Sequence, residues 1–156
     1  CDDRNPAMPV FHEIERRQSP PDCRAAQMLV NEAPWRQAGI GSRFSFYRAC
    51  LARAVQQNRT YVDVACAASS DCLPEFVHPW TTCTADDVQA AKSEGRATVI
   101  NGYDECFAFF QVSPKPQWPA MLWAAAATSF LLRPSAALRA RLAHDLAHLP
   151  PYRMAM

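Results

Sequence analysis

"AGIGSRFSFYRACLARAVQQNRTYVDV", Ala38 to Val64, spends two of the chain's four glycines one residue apart and then runs to its end without another. Behind the glycines, Tyr47, Cys50, Leu51, Ala54 and Val55 recur at helical spacing, while Ser45, Arg48 and Gln56 fall on the opposite face. This predicts a helix over 42–57 that stops near Asn58, a residue tolerant of the left-handed conformation of helix ends. "RTYVDVA" then reads as a strand over 60–65, with Val62 and Val64 on one face. Upstream, "AAQMLV" predicts a short buried strand over 26–31. Strand, glycine turn, helix and strand make a βαβ unit. The fold class is therefore α/β, with a parallel Rossmann-like sheet flanked by helices and the first two strands adjacent.

The flanks extend this pattern. "NPAMP" and "QSPPD" enclose "HEIERR", and their prolines predict an extended leader over 1–22 with at most one helical turn around Ile14. "AASSDCLPEFVHPWTTC" reads as a loop, after which Thr84 opens a short helix with a capping-box-like "TADD" that Gly95 ends. "RATVI" and "ECFAFFQV" predict strands over 97–100 and 105–112. "SPKPQWP" is a linker, and helices follow over 119–133 and 135–149. Ser135 is the expected N-cap of the second, which is striped by Leu138, Leu142, Leu146 and Leu149.

At 156 residues the chain is long enough to bury a core, and 49% hydrophobic with 20% charged residues is ordinary for a globular domain. A net charge of +1, with both signs mixed along the chain, supplies no footprint for nucleic acid or an anionic membrane. The longest apolar run, Trp118 to Leu132, is shorter than a bilayer span and interrupted by Pro119, Thr128 and Ser129, so it reads as a buried helix and no membrane span is expected. The chain starts at Cys1 and shows no signal peptide, so the native N-terminus is expected to lie upstream.

Seven cysteines stand at 1, 23, 50, 66, 72, 83 and 106, none in a C-x-x-C pair and none beside a histidine pair at ligand spacing. No metal site is expected. Two accounts remain for the cysteines. Some are simply buried small hydrophobes, as expected of Cys50 on its helix, or an oxidising compartment joins several of them, at least one bridge falling among Cys23, Cys66, Cys72, Cys83 and Cys106. His144 and His148 sit at i, i+4 with no third ligand and read as surface or packing residues.

Glycines in a βα turn let backbone amides approach an anion, and the helix N-terminus adds about half a positive charge. Gly39, Ile40, Gly41, Ser42 and Arg43 are thus candidates for holding a nucleotide phosphate, with Ser42 as N-cap or phosphate donor. A tight turn without a ligand fits the same residues: Phe44 stands where a dinucleotide fingerprint has its third glycine, and the P-loop ending is absent. Arg36 and Arg43 flank the turn as candidate charge donors or as solvated surface residues. Trp35 and Trp80 lie in loops, where rings stack on sugars or fill cores, while Trp118 and Trp123 read as core. Asp63, Asp104 and Glu105 are isolated acids, so no catalytic base is assigned. Asn58-Arg59-Thr60 is an N-glycosylation sequon and, equally, a helix-to-strand turn.

Taken in order, "GIGS", a helix with aromatic first turns, "NRT" and an immediate strand resemble the first motif of the α1,6-fucosyltransferase-like family, which includes core fucosyltransferases, nodulation fucosyltransferases and algal relatives. "WAAAATSFLLRPSAALRARL", Trp123 to Leu142, resembles that family's aromatic-led helix ending in a Leu-Arg-Pro step. "FVHPWTTCT" looks like its aromatic-proline-cysteine segment. The resemblance covers most of residues 23–149. One departure stands against it. The family's His-x-Arg-Arg-x-Asp motif, which grips the donor diphosphate, is absent, and the chain ends in "LPPYRMAM" where that strand is due.

The resemblance implies the N-terminal half of a two-domain GT-B-like glycosyltransferase, with residues 23–149 its α/β domain and 150–156 the cut start of the donor-binding domain. The completed enzyme would move fucose from GDP-fucose to a glycan acceptor with inversion and without a metal or other cofactor, in the secretory pathway, Golgi lumen or outside the cell. Residues 39–43 would then border the donor cleft, with Arg36 and Trp80 towards the substrate. Two alternatives stay open, a secreted disulfide-stabilised binding module without catalysis and another nucleotide-binding α/β enzyme.

Overall fold

A computed structural model describes residues 5–32, 40–64, 80–109 and 113–147. Three short strands, β1 (Met28–Asn31), β2 (Thr60–Asp63) and β3 (Ala97–Ile100), form an open parallel sheet in the order β2-β1-β3. Leu29 stands opposite Tyr61 and Thr98, and Asn31 opposite Asp63 and Ile100. The helices are α1 (Met8–Gln18), α2 (Ile40–Gln56), α3 (Ala85–Ser93), α4 (Ala120–Leu131) and α5 (Ala136–Ala147). The expected β1–α2–β2 unit is present, with parallel strands joined through α2. Mixed α/β architecture with a small parallel sheet and flanking helices is the fold.

Alternation along the strands sorts the core into two layers. Leu29, Tyr61 and Ile100 face α1, α2 and α4, where Ile14, Leu51, Val55, Trp123 and Phe130 pack with them. Met28, Val30 and Val62 face the other way, onto Val88 and Ala91 of α3. All five residues of the predicted α2 stripe are buried. Each layer carries its own disulfide: Cys50–Cys106 within the first, Cys23–Cys83 beside the second.

Helix ends follow local chemistry. Asn58, at φ 57, closes α2, with the Arg59 N–H donating to the Ala54 carbonyl and the Asn58 N–H to that of Val55. Gly95, at φ +70, closes α3 by the same two bonds, from Arg96 to Ala91 and from Gly95 to Lys92. Thr84 caps α3 in a full capping box with Asp87, and Ser135 Oγ accepts from the Leu138 N–H at the start of α5.

Three expectations fail. The leader is a helix: α1 runs eleven residues and buries Val10, Ile14 and Gln18. Its prolines mislead because Pro9 stands in the first turn, where no intrahelical N–H is needed. The strand expected over 105–112 is instead a 3₁₀ helix, Tyr103–Phe109, with 110–112 outside the described residues. At three residues per turn Cys106 and Phe109 share the inner face, and the disulfide to α2 with the Arg53 bond to the Glu105 carbonyl holds that segment away from the sheet edge. Cys50, finally, is disulfide-bonded and not a free core thiol.

Candidate functional site at the carboxyl edge of the sheet

With β1 central, the chain leaves it towards β2 on one side and returns to β3 on the other. That reversal makes the carboxyl end of β1 a topological switch point, where open parallel sheets hold ligands. The residues there are Asn31, Asp63 and Ile100, the last of each strand. Asn31 is fully buried and Asp63 nearly so, and the Asn31 Nδ2 donates to Asp63 Oδ2 at 2.9 Å. The Tyr61 hydroxyl donates to the same oxygen at 2.9 Å. A buried carboxylate oxygen is thus shared by an amide and a phenol on adjacent strands, which fixes all three side chains.

Asp63 is therefore no solvated acid. Period-2 alternation places Tyr61 and Asp63 on one face, and parallel register brings Asn31 beside them. That alternation was the available signal. Of the other isolated acids, Asp104 is exposed, and Glu105 accepts from the Asn101 N–H and lies 3.5 Å from Arg53.

Gly41, Ser42 and Arg43 lie in the first turn of α2, so Ser42 is inside the helix and not its N-cap. Gly41 is exposed, its φ is outside the left-handed region, and an added Cβ would meet nothing within 4 Å among the described residues. Neither backbone angle nor local packing requires a glycine there, although alanine is favoured in helices by up to about 1 kcal/mol. Ile40 opens the helix, while Trp35, Arg36 and Gly39 lie outside the described residues, as do Cys66 and Cys72.

Trp80 joins α2 to α4. Its Nε1 donates to the Leu131 carbonyl at 3.0 Å, and its ring meets Tyr47 edge-on at 4.2 Å. Trp123 is buried and stacks on Trp118 at 6.1 Å, in line with the core role expected of both.

No protein-family model matches the chain, and no curated protein matches it. The edge is thus characterised by its own residues. Among the described residues no cluster of three or more His, Cys, Asp or Glu side chains could hold a metal ion, and His144 is an exposed residue 3.3 Å from Asp145. No helix of the described residues is long and apolar enough to cross a membrane.

The opposite, amino edge is closed by arginines. Arg59 donates to the carbonyls of Met28 and Arg96, and Arg96 to that of Ala26. One edge is sealed by structural bonds, and the other presents a helix N-terminus and a buried polar cluster.

Proposed function

We propose that this chain is the N-terminal α/β portion of a GT-B-like, fucosyltransferase-like glycosyltransferase that moves fucose from GDP-fucose to a glycan hydroxyl in the lumen of the secretory pathway. The observation that carries the proposal is Gly41, a glycine in the first turn of α2 whose Cβ position meets nothing within 4 Å among the described residues and whose backbone angle does not call for glycine. A bare backbone there lets a phosphate approach the first-turn N–H groups, which bring about half a positive charge. The ordered resemblance of residues 39–60 and 123–142 to the family, the β1–α2–β2 unit and the two disulfides support the same assignment.

In this proposal the departing diphosphate takes the rest of its charge compensation from the family's His-x-Arg-Arg-x-Asp segment, which residues 1–156 do not contain. The Asn31–Tyr61–Asp63 cluster positions the sheet edge and does not touch the donor. Fucose transfer from GDP-fucose by the full-length protein tests it. Gly41→Val is expected to lower kcat/KM at least tenfold, about the worth of one charge-assisted hydrogen bond, while leaving the fold intact. Full activity in that variant removes α2 from the site, and transfer by residues 1–156 alone overturns the division of labour.

The disulfides also favour a second reading, a secreted binding module without chemistry. Glycan binding by the full-length protein with no GDP-fucose turnover selects it.

A further inference from the structure

The turn between α2 and β2 holds the chain's one N-x-S/T sequon, Asn58-Arg59-Thr60. Asn58 is exposed and stands at φ 57, outside both elements it joins. Its side chain is oriented from one side only: Arg17 Nη1 on α1 donates to Asn58 Oδ1. The amide nitrogen Nδ2 makes no hydrogen bond among the described residues and sits on a residue open to solvent. Thr60 is buried, and its hydroxyl donates to the Arg17 carbonyl at 3.0 Å. The same arginine therefore holds the Asn58 oxygen with its guanidinium and the Thr60 hydroxyl with its backbone.

We propose that Asn58 carries an N-linked oligosaccharide, added while the chain is still extended and accommodated by the fold afterwards. In the step, Nδ2 bonds to the anomeric carbon of an oligosaccharide borne on a lipid diphosphate. The bond from that carbon to the diphosphate oxygen breaks, the lipid diphosphate leaves with the electron pair, and the one proton the amide gives up passes to solvent. A secondary amide keeps its carbonyl oxygen, so the Arg17 contact survives the modification. The hydroxyl that the transferring enzyme reads is free only before folding; the native chain then buries it against α1. Both disulfides require the oxidising compartment in which such transfer takes place. The position is also harmless to the carboxyl edge: Asn58 precedes β2 while Asp63 ends it, a span of roughly 15 Å at strand rise.

The test is the chain secreted from eukaryotic cells, digested after treatment with a peptide amidase that releases N-glycans. Asn58 is expected to read as aspartate in the released peptide, with one oligosaccharide lost from the intact mass. The mass step is expected to persist in Thr60→Ser and to vanish in Asn58→Gln. A secreted wild-type chain with both disulfides formed and Asn58 unmodified overturns the proposal, as does a mass step that survives in Asn58→Gln.

Discussion

Gln18 is wholly buried at the end of α1, and neither its amide nitrogen nor its amide oxygen has a hydrogen-bond partner among the described residues. Burying both without compensation costs more than the amide's packing returns. Gln18→Met, similar in length and apolar, is expected to raise stability by about 1–2 kcal/mol, read as a higher urea midpoint at unchanged m-value. Glu13, four residues before Arg17 on the same helix, is the opposite case. Burial pushes its carboxyl up, but hydrogen bonds from Arg16, Lys115 and Arg17 outweigh that and hold it at about 2, below the usual 4.5. A depressed carboxyl stabilises the fold above the unfolded value and ceases to do so as pH falls through the folded one. The contribution is therefore full above about pH 4.5 and lost between there and about 2. Glu13→Gln is expected to remove roughly 1–3 kcal/mol at pH 7 and to flatten the acid limb of the stability profile over that window.

At the level of elements, the Cys50–Cys106 bridge ties α2 to the 3₁₀ helix across 56 residues of chain. Closing a loop of that length removes unfolded-state entropy worth roughly 2–4 kcal/mol. The Cys50→Ala/Cys106→Ala double variant is expected to lose about that much in thermal or urea unfolding, and to release the 3₁₀ segment to faster amide exchange before α2 itself opens. That segment is also where the sequence was least legible. "ECFAFFQV" has the apolar density of a strand, and the contacts that hold it as a turn, the disulfide to Cys50 and the hydrogen bond from Arg53, lie 56 and 52 residues away in the sequence. Elements whose signals are local came through intact: the α2 stripe is set over residues 47–55, and the left-handed Asn58, the Thr84 capping box and Gly95 are each decided within about four residues. α1 was hidden because a proline in the first turn and one in the helix interior look alike in a string of letters. The polar cluster at the carboxyl edge needs the β1–β2 register, which alternation suggests and only strand pairing supplies.

Across the whole molecule the two bridges, Cys23–Cys83 and Cys50–Cys106, interleave: each closes a loop that contains one end of the other. A cut between residues 24 and 50 leaves its halves joined through Cys23–Cys83, a cut between 83 and 106 leaves them joined through Cys50–Cys106, and a cut in the overlap is spanned by both. Cleavage at any single peptide bond from Cys23 to Cys106 therefore yields no diffusible fragment. A protease-nicked sample is expected to run as one species on a non-reducing gel and as two once reduced; separation without reductant would mean that the bridges pair differently. Even two cuts fail to free the piece between them when it retains one of the four bridged cysteines and that cysteine's partner lies outside the piece. Viewed as a graph, the stretch from Cys23 to Cys106 has no single backbone bond whose loss disconnects it, so the connectivity of this stretch outlasts the continuity of its backbone.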